Sequence, residues 1–182
     1  FEAAPSQPPT ADPQTVNTAE DTPVDITLTG NDPDGSDLSF EVTSSPNHGT
    51  ISGTAPQLTY TPDPDFSGTD AFSFIGSDGH LESEPASVTI EVTPANDSPN
   101  AADDAYSAQT APVTTGNVLA NDSDPDNDTL TIAGFSQPGA GTVAENGGST
   151  FTYTPGAGFT GQDSFTYTAA DPDGATDTAE VT

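Results

Sequence analysis

The chemistry open to this chain lies in its carboxylates. Asp32-Pro33-Asp34-Gly35-Ser36-Asp37, Asp122-Ser123-Asp124-Pro125-Asp126-Asn127-Asp128 and Asp171-Pro172-Asp173-Gly174 are dense acidic runs, and Ser77-Asp78-Gly79, Glu20-Asp21, Asp63, Asp65, Asp70 and Asn96-Asp97 add to them. Against 29 Asp and Glu there is no Lys and no Arg in 182 residues, for a formal net charge of −29. Only His48, His80 and the chain terminus could neutralise a carboxylate. A close cluster of these acids must therefore stay hydrated, take up protons or bind a metal ion from solution. All-oxygen donors in irregular loops suit calcium, which accepts about 6–8 oxygens, better than magnesium, which demands a tight octahedron.

The same composition excludes other chemistry. Nucleic acid and anionic membrane surfaces would be repelled, since both are bound through Lys and Arg. No run of about 18 apolar residues is present to cross a bilayer. Without Cys there is no disulfide, thiol nucleophile or thiolate metal site, and without Lys no Schiff base. Neither His48 nor His80 belongs to a serine elbow or a metal triad, and His48 in Pro46-Asn47-His48-Gly49 reads as part of a turn. Carboxylate pairs abound, but they recur in turns instead of flanking one cleft as a glycosidase requires. The chain is not expected to be an enzyme.

The elements that hold these loops emerge from the apolar pattern. A hydrophobic content of 30 %, with 18 Pro and 17 Gly, is by itself the composition of a disordered chain. The few apolar residues nevertheless alternate with polar ones: Val24-Asp-Ile26-Thr-Leu28, Leu38-Ser-Phe40-Glu-Val42, Leu58-Thr-Tyr60, Phe72-Ser-Phe74 and Val88-Thr-Ile90-Glu-Val92. That is the period of half-buried strands. Short pieces near Thr15–Asn17 and Thr50–Ser52 bring the count to seven. Phe40, Tyr60, Phe66, Phe72 and Phe74 are the expected core.

The whole pattern then repeats. Tyr60-Thr-Pro62…Phe66-Ser-Gly68-Thr-Asp70-Ala-Phe72-Ser-Phe74 returns as Tyr153-Thr-Pro155…Phe159-Thr-Gly161-Gln-Asp163-Ser-Phe165-Thr-Tyr167, at a constant offset of 93 (153 − 60). Asn31-Asp32 corresponds to Asn121-Asp122, and Asp78-Gly79 to Asp173-Gly174. Seven short antiparallel strands per copy predict two tandem immunoglobulin-like β-sandwiches in an all-β chain. The expected organisation is an extended, Pro-rich lead-in over 1–13, a first repeat over 14–93, a linker over 94–100 and a second repeat over 101–182. The last strand, Ala179-Glu-Val181-Thr182, is shorter than Ala86–Val92, so the native polypeptide is expected to continue.

In such sandwiches the loops fall at opposite poles. Stacked head to tail, Glu20, Asp65, Asp70, Asn96 and Asp97 would face Asp124, Asp126 and Asp173, forming an interdomain calcium site. Asp32, Asp34 and Asp78 form a weaker candidate at the upper pole of the first repeat. The competing reading is purely structural, because Asp, Asn, Gly and Pro are also ordinary turn formers. The run from Asp122 is not an EF-hand loop: position six is Asn127 instead of Gly, and position twelve is Ala133 instead of Glu. Asn96, Asn121 and Asn127 begin glycosylation triplets but have a simpler role as turn or ligand residues.

Taken together, Asn117-Val-Leu-Ala-Asn121-Asp122-Ser-Asp124-Pro-Asp126-Asn-Asp128-Thr-Leu130 and the Tyr153–Tyr167 segment resemble the cadherin-like tandem repeats of large bacterial surface proteins, including RTX-type adhesins and secreted polysaccharide-degrading enzymes of marine bacteria. The resemblance covers about residues 14–182. It implies an immunoglobulin-like fold with calcium at the domain junctions. Pro94-Ala-Asn96-Asp97-Ser-Pro99 is similar to the Asn-Asp linker of cadherins. Glu20 stands where their first-strand Glu stands, and Asp124 and Asp126 resemble the Asp-x-Asp pair of the following domain. The second copy departs from this pattern, with Gln109-Thr-Ala-Pro112 where the first has Glu20-Asp-Thr-Pro23, and the Asp65–Asp70 turn lacks the family's Asp-Arg-Glu.

The function expected is a calcium-rigidified stalk or adhesion repeat, extracellular or at the surface of a bacterium, with neighbouring repeats as partners. Extreme acidity without Cys suits a secreted protein in a salty medium that screens self-repulsion. One alternative is a calcium-dependent carbohydrate-binding module that takes a polysaccharide or cell-surface ligand. Trp is absent and Tyr60, Tyr153 and Tyr167 read as core, which leaves Tyr106 as the candidate sugar platform. A second alternative is a filament subunit whose short last strand is completed by a neighbour.

Overall fold

A computed structural model of the protein describes residues 6–107 and 112–182. Expectations about Phe1–Pro5 and about Gln109, Thr110 and Ala111 fall outside these residues. The chain divides into two compact units, Phe1–Ala95 and Asn96–Thr182.

In the first unit, alternation of apolar and polar residues generates β1 (Thr10–Ala11), β2 (Gln14–Ala19), β3 (Val24–Thr27), β4 (Gly30–Asn31), β5 (Ser39–Ser44), β6 (Gly49–Thr54), β7 (Gln57–Pro62), β8 (Gly68–Ser77) and β9 (Ala86–Thr93). They form a four-stranded sheet in the order β2-β9-β8-β5, a three-stranded sheet β3-β7-β6 and a two-stranded ribbon β1-β4. Ile26, Leu58, Tyr60, Phe72, Phe74, Val88, Ile90 and Val92 are buried in one core, one face of each strand contributing. Phe40 and Phe66 are half-buried and pack against it. Phe66 stacks on His48, with ring centroids 4.3 Å apart, which gives His48 its structural role.

One pairing differs from the antiparallel pattern expected throughout. β2 runs parallel to β9, with Gln14 opposite Val88 and Ala19 opposite Thr93. Period-two alternation fixes which face of a strand is buried but carries no information about its direction.

The second unit repeats the plan with β10 (Val113–Thr114), β11 (Thr131–Phe135), β12 (Gly141–Gly147), β13 (Thr150–Pro155), β14 (Phe165–Ala170) and β15 (Thr176–Val181). The sheets are β10-β13-β12 and β11-β14-β15. Val118, Val143, Phe151, Phe165, Tyr167, Ala169, Ala179 and Val181 form its core. Asp104 bridges Val181 in parallel, as β2 does β9.

Both units carry the same internal corner. Tyr60 donates its hydroxyl hydrogen bond to Asp70 at 3.0 Å, and Tyr153 donates to Asp163 at 2.9 Å. Each ring lies against a glycine that admits no side chain: a Cβ on Gly49 would approach the Tyr60 ring to 2.6 Å, and one on Gly141 would approach Tyr153 to 2.5 Å. No helix among the described residues is long and apolar enough to cross a membrane, which says nothing of β-barrels.

Candidate metal centre

The linker-proximal loop of the second unit is built on Asp124. Its Oδ1 accepts the backbone N–H groups of Asp126 (3.0 Å) and Asp128 (3.3 Å), and Asn127 N–H closes the turn onto the Asp124 carbonyl at 3.1 Å. Asn127 adopts φ 62°, which Asn tolerates better than most residues. This is an Asx-turn, the ordinary way for Asp to stabilise a bend. The turn leaves Asp124 Oδ2 inaccessible to solvent and without a hydrogen-bond donor. One oxygen each from Asp124, Asp126 and Asp128 lies within 4.8 Å of the others.

Further acids surround this trio. Asp126 Oδ2 accepts the Asp97 N–H at 2.8 Å, which ties the linker residue to the loop. Asn96 Nδ2 donates to Asp171 Oδ2 at 2.9 Å. Asp171, only 6 % exposed, receives Gly174 and Ala175 N–H at 2.6 and 2.9 Å. The Asn96 amide, reinforced by these N–H groups, holds the Asp171 carboxyl below its ordinary range. Asp128 goes the other way: desolvation, then the charges of Asp124, Asp126, Asp173 and Asp171, push it up. A group whose ionisation is opposed by four neighbouring acids marks a concentrated negative field.

The first unit has the same loop in leaner form. Asp32 Oδ1 accepts Asp34 N–H (2.8 Å) and Ser36 N–H (3.1 Å), and Gly35, at φ 83°, closes onto the Asp32 carbonyl at 3.1 Å. Asp34 Oδ2 accepts Gln7 N–H at 2.7 Å, as Asp126 accepts Asp97. Asp78 Oδ1 accepts His80 and Leu81 N–H, as Asp171 accepts Gly174 and Ala175. These bonds correct the sequence correspondence: Asp32 is the counterpart of Asp124 rather than Asp122, and Asp78 that of Asp171 rather than Asp173. Turn hydrogen bonding, which the Asn-Asp dipeptides do not reveal, decides the match. Asp32 Oδ2 is again buried without a donor. Asp32, Asp34 and Asp78 do not converge as a trio that could hold one ion among the described residues.

The remaining expected ligands have distinct settings. Glu20, 5 % exposed, accepts the Ala95 N–H through Oε1 and so anchors the last residue of the first unit. Asp65 is exposed at φ 57°, its N–H directed at Asp21 Oδ1 at 3.4 Å. Asp70 is otherwise engaged: it is 4 % exposed and receives Asn47, His48 and Ala71 N–H at 2.8–2.9 Å besides the Tyr60 hydroxyl. Burial opposes its ionisation, but these four donors outweigh burial and hold its carboxyl below the ordinary range. Its oxygens serve the corner of its own unit. Asp163 does the same for the second unit. Tyr106 is half-buried against the second core, its hydroxyl 3.4 Å from Asp104 Oδ1.

Sequence reasoning left Asp128 and Asp171 out of the ligand set. Both carried a signal: Asp128 ends the alternating acidic run, and Asp171 lies 93 residues after Asp78. The donor set fits a hard divalent cation. It is all oxygen, has no internal counter-charge, and includes a carboxylate oxygen that folding has hidden from water without supplying a donor.

No curated protein sequence matches this chain. Among solved structures, an endo-fucoidan hydrolase of glycoside hydrolase family 107 is 22 % identical over 100 % of this chain and 29 % of its own, with a TM-score of 0.43. The human desmocollin-1 ectodomain is 14 % identical over 99 % of this chain and 37 % of its own, with a TM-score of 0.50. Human mucin-like protocadherin EC1-2 is 17 % identical over 97 % of both chains, with a TM-score of 0.49. The chain thus spans under a third of the hydrolase, and the likeness to desmocollin-1 is one of fold. The family model described as bacterial Ig domain matches twice, over residues 6–91 and 96–182, and such domains are non-catalytic repeats. Two matches that together account for nearly every described residue place this chain in the bacterial Ig domain family, as a tandem pair of its repeats.

Proposed function

We propose that this chain is a calcium-stiffened segment of an extracellular bacterial stalk or adhesion protein, with neighbouring repeats of the same polypeptide as its immediate partners. The observation that carries the reading is the loop around Asp124. Asp97, Asp124, Asp126, Asp128, Asp171 and Asp173 are gathered on a protein without a single Lys or Arg, and one of their oxygens is buried unpaired. Calcium bound there would supply the missing positive charge and tolerate the loop's irregular oxygens.

Stiffening follows from what the chain's own residues hold. Glu20 fixes Ala95, while Asp171 and Asp126 fix Asn96 and Asp97, so the linker peptide is gripped on both sides by acids. A cation that restrains Asp126 and Asp171 restrains Asn96 and Asp97 with them. Restraint of a linker lowers the number of conformations that successive repeats sample, which is the requirement of a rod.

The test is melting and small-angle scattering of the protein with calcium and with EDTA. Calcium is expected to raise the melting temperature and lengthen the mean particle. Identical melting and scattering curves in the two conditions would remove the stalk mechanism.

A further inference from the structure

Asn146 is followed by Gly147, and every other Asn of the chain by a residue that carries a side chain. The pair lies where β12 turns into β13. Glu145 pairs with Phe151 and Gly147 with Thr150, so Asn146 is the extra residue of a bulge, without a cross-strand partner. Gly147, Gly148 and Ser149 follow at φ 81°, 60° and 58°. Asn146, Gly147 and Gly148 are exposed to water. A Cβ on Gly147 would meet no atom beyond its chain neighbours within 4 Å, so the space beside this peptide is open. The Asn146 amide is held by Thr152: Nδ2 donates to Thr152 Oγ1 at 2.9 Å, and that hydroxyl donates to Asn146 Oδ1 at 3.2 Å. Unit 1 has no such pair. Ile51 faces Tyr60 as Val143 faces Tyr153, which puts Thr54 where unit 2 has Asn146.

We propose that Asn146-Gly147 is a self-modification site, at which the folded hairpin converts Asn146 to aspartate or isoaspartate with water as the co-reactant. The main-chain nitrogen of Gly147 attacks Cγ of Asn146. This C–N bond forms as the bond from Cγ to Nδ2 breaks. The proton lost from the Gly147 nitrogen leaves with Nδ2 as ammonia, and a cyclic imide, a succinimide, remains. Water then adds to one of its two carbonyls. Opening on one side gives aspartate on an unaltered main chain. Opening on the other gives isoaspartate, whose main chain runs through Cγ and is one carbon longer. Glycine suits the attacking position because it has no Cβ to crowd the approach. The bulge lets the main chain adapt without breaking a ladder pair. Thr152 is a positioning residue, its O–H directed at the oxygen that gains negative charge as Cγ is attacked. Asp34-Gly35, Asp78-Gly79 and Asp173-Gly174 share the glycine but present a carboxylate, which has no ammonia to release. Either product adds a negative charge beside Glu145 and loses the N–H donated to Thr152. The change is one-way, belongs to unit 2 and makes no use of a metal.

The test incubates the intact protein in mildly alkaline buffer with EDTA, digests samples with chymotrypsin and follows the peptide 136–151 by mass spectrometry, with fragmentation that tells aspartate from isoaspartate. Asn146 is expected to gain about 1 Da at least about tenfold faster than any other Asn of the chain, with isoaspartate among the products. Asn146→Gln should remove the gain. Thr152→Val should slow it about tenfold and Thr152→Ser should restore it, which a merely structural role of Thr152 would not do. A folded protein in which Asn146 gains mass no faster than the other Asn residues would overturn the site. A Thr152→Val protein that reacts as fast as the parent would overturn the role given to Thr152.

Discussion

The loop at Asp32 and the loop at Asp124 share one backbone and carry different charge. Each is an Asx-turn in which the first Asp receives N–H groups two and four residues on, the residue three on takes a positive φ, and the second Asp receives the N–H of a residue from upstream. The first loop has Ser36 and Gln7 where the second has Asp128 and Asp97, and Asp78-Gly79-His80 where the second has Asp171-Pro172-Asp173. Three carboxylates become six on an unchanged scaffold. The turn geometry is therefore a property of the fold, and the added acids are what concentrate negative charge on it. Asp70 and Asp163 supply the control, being acids whose every demand is met from within their own units.

The largest expected effect separates the structural acids from the cation-dependent ones. Asp70→Ala strands the N–H groups of Asn47, His48 and Ala71 and the Tyr60 hydroxyl, and is expected to cost about 3 kcal/mol of stability. Denaturant melts should give the same loss in calcium and in EDTA, since this corner owes nothing to metal.

Next in size is calcium itself. At a calcium concentration a hundredfold above Kd, linkage contributes about 2.7 kcal/mol, or roughly 10 °C or more in the melting of a domain this small. Calorimetric scans should show the gain in the transition assigned to unit 2, with the unit 1 transition moving less.

Asp128→Ser converts the richer loop to the composition of the leaner one. Calcium affinity by titration should fall roughly tenfold. In EDTA the same substitution should raise the melting temperature, because it removes a charge that Asp124, Asp126, Asp173 and Asp171 oppose. A loss of stability in EDTA would show that Asp128 serves the turn and not the metal.

The smallest expected effect is on pH dependence. Burial, then the charge of Asp122, raises the Asp104 carboxyl, and crowding raises Asp128. The folded state binds these protons more readily than the unfolded chain, so metal-free stability should rise as pH falls from neutral toward the upper edge of the carboxylate range. Asp70 and Asp163 are lowered, so their contribution is complete above an unfolded value of about 3.9 and is lost as pH falls through their folded values. The metal-free protein should have an acid-side stability maximum followed by collapse, and melting against pH in EDTA checks it.

Strands, core and tandem organisation were legible because each rests on a local period or an offset: Val88-Thr-Ile90-Glu-Val92 declares its buried face in five residues. The acidic loops were legible as runs. The role of Asp70 was not, since its donors come from residues 47, 48 and 60, brought together only by the sandwich. The match of Asp32-Pro33-Asp34 to Asp124-Pro125-Asp126 was open to view, each reaching a Leu six residues on, but was masked by the Asn-Asp dipeptides, which align Asp32 with Asp122 two residues too early. The direction of β2 was hidden because alternation has no sense of direction.

Calcium titration by calorimetry of the parent protein beside Asp124→Asn and Asp34→Asn bears most directly on the claim that the Asp124 loop is a cation site. Asn retains one acceptor oxygen, enough for the turn bonds at Asp124 and for the Gln7 N–H at Asp34, while the first-unit turn is held by Asp32 in both variants. Saturable calcium binding that is lost in Asp124→Asn and kept in Asp34→Asn is the predicted result. No heat at millimolar calcium, or equal losses in the two variants, would contradict it.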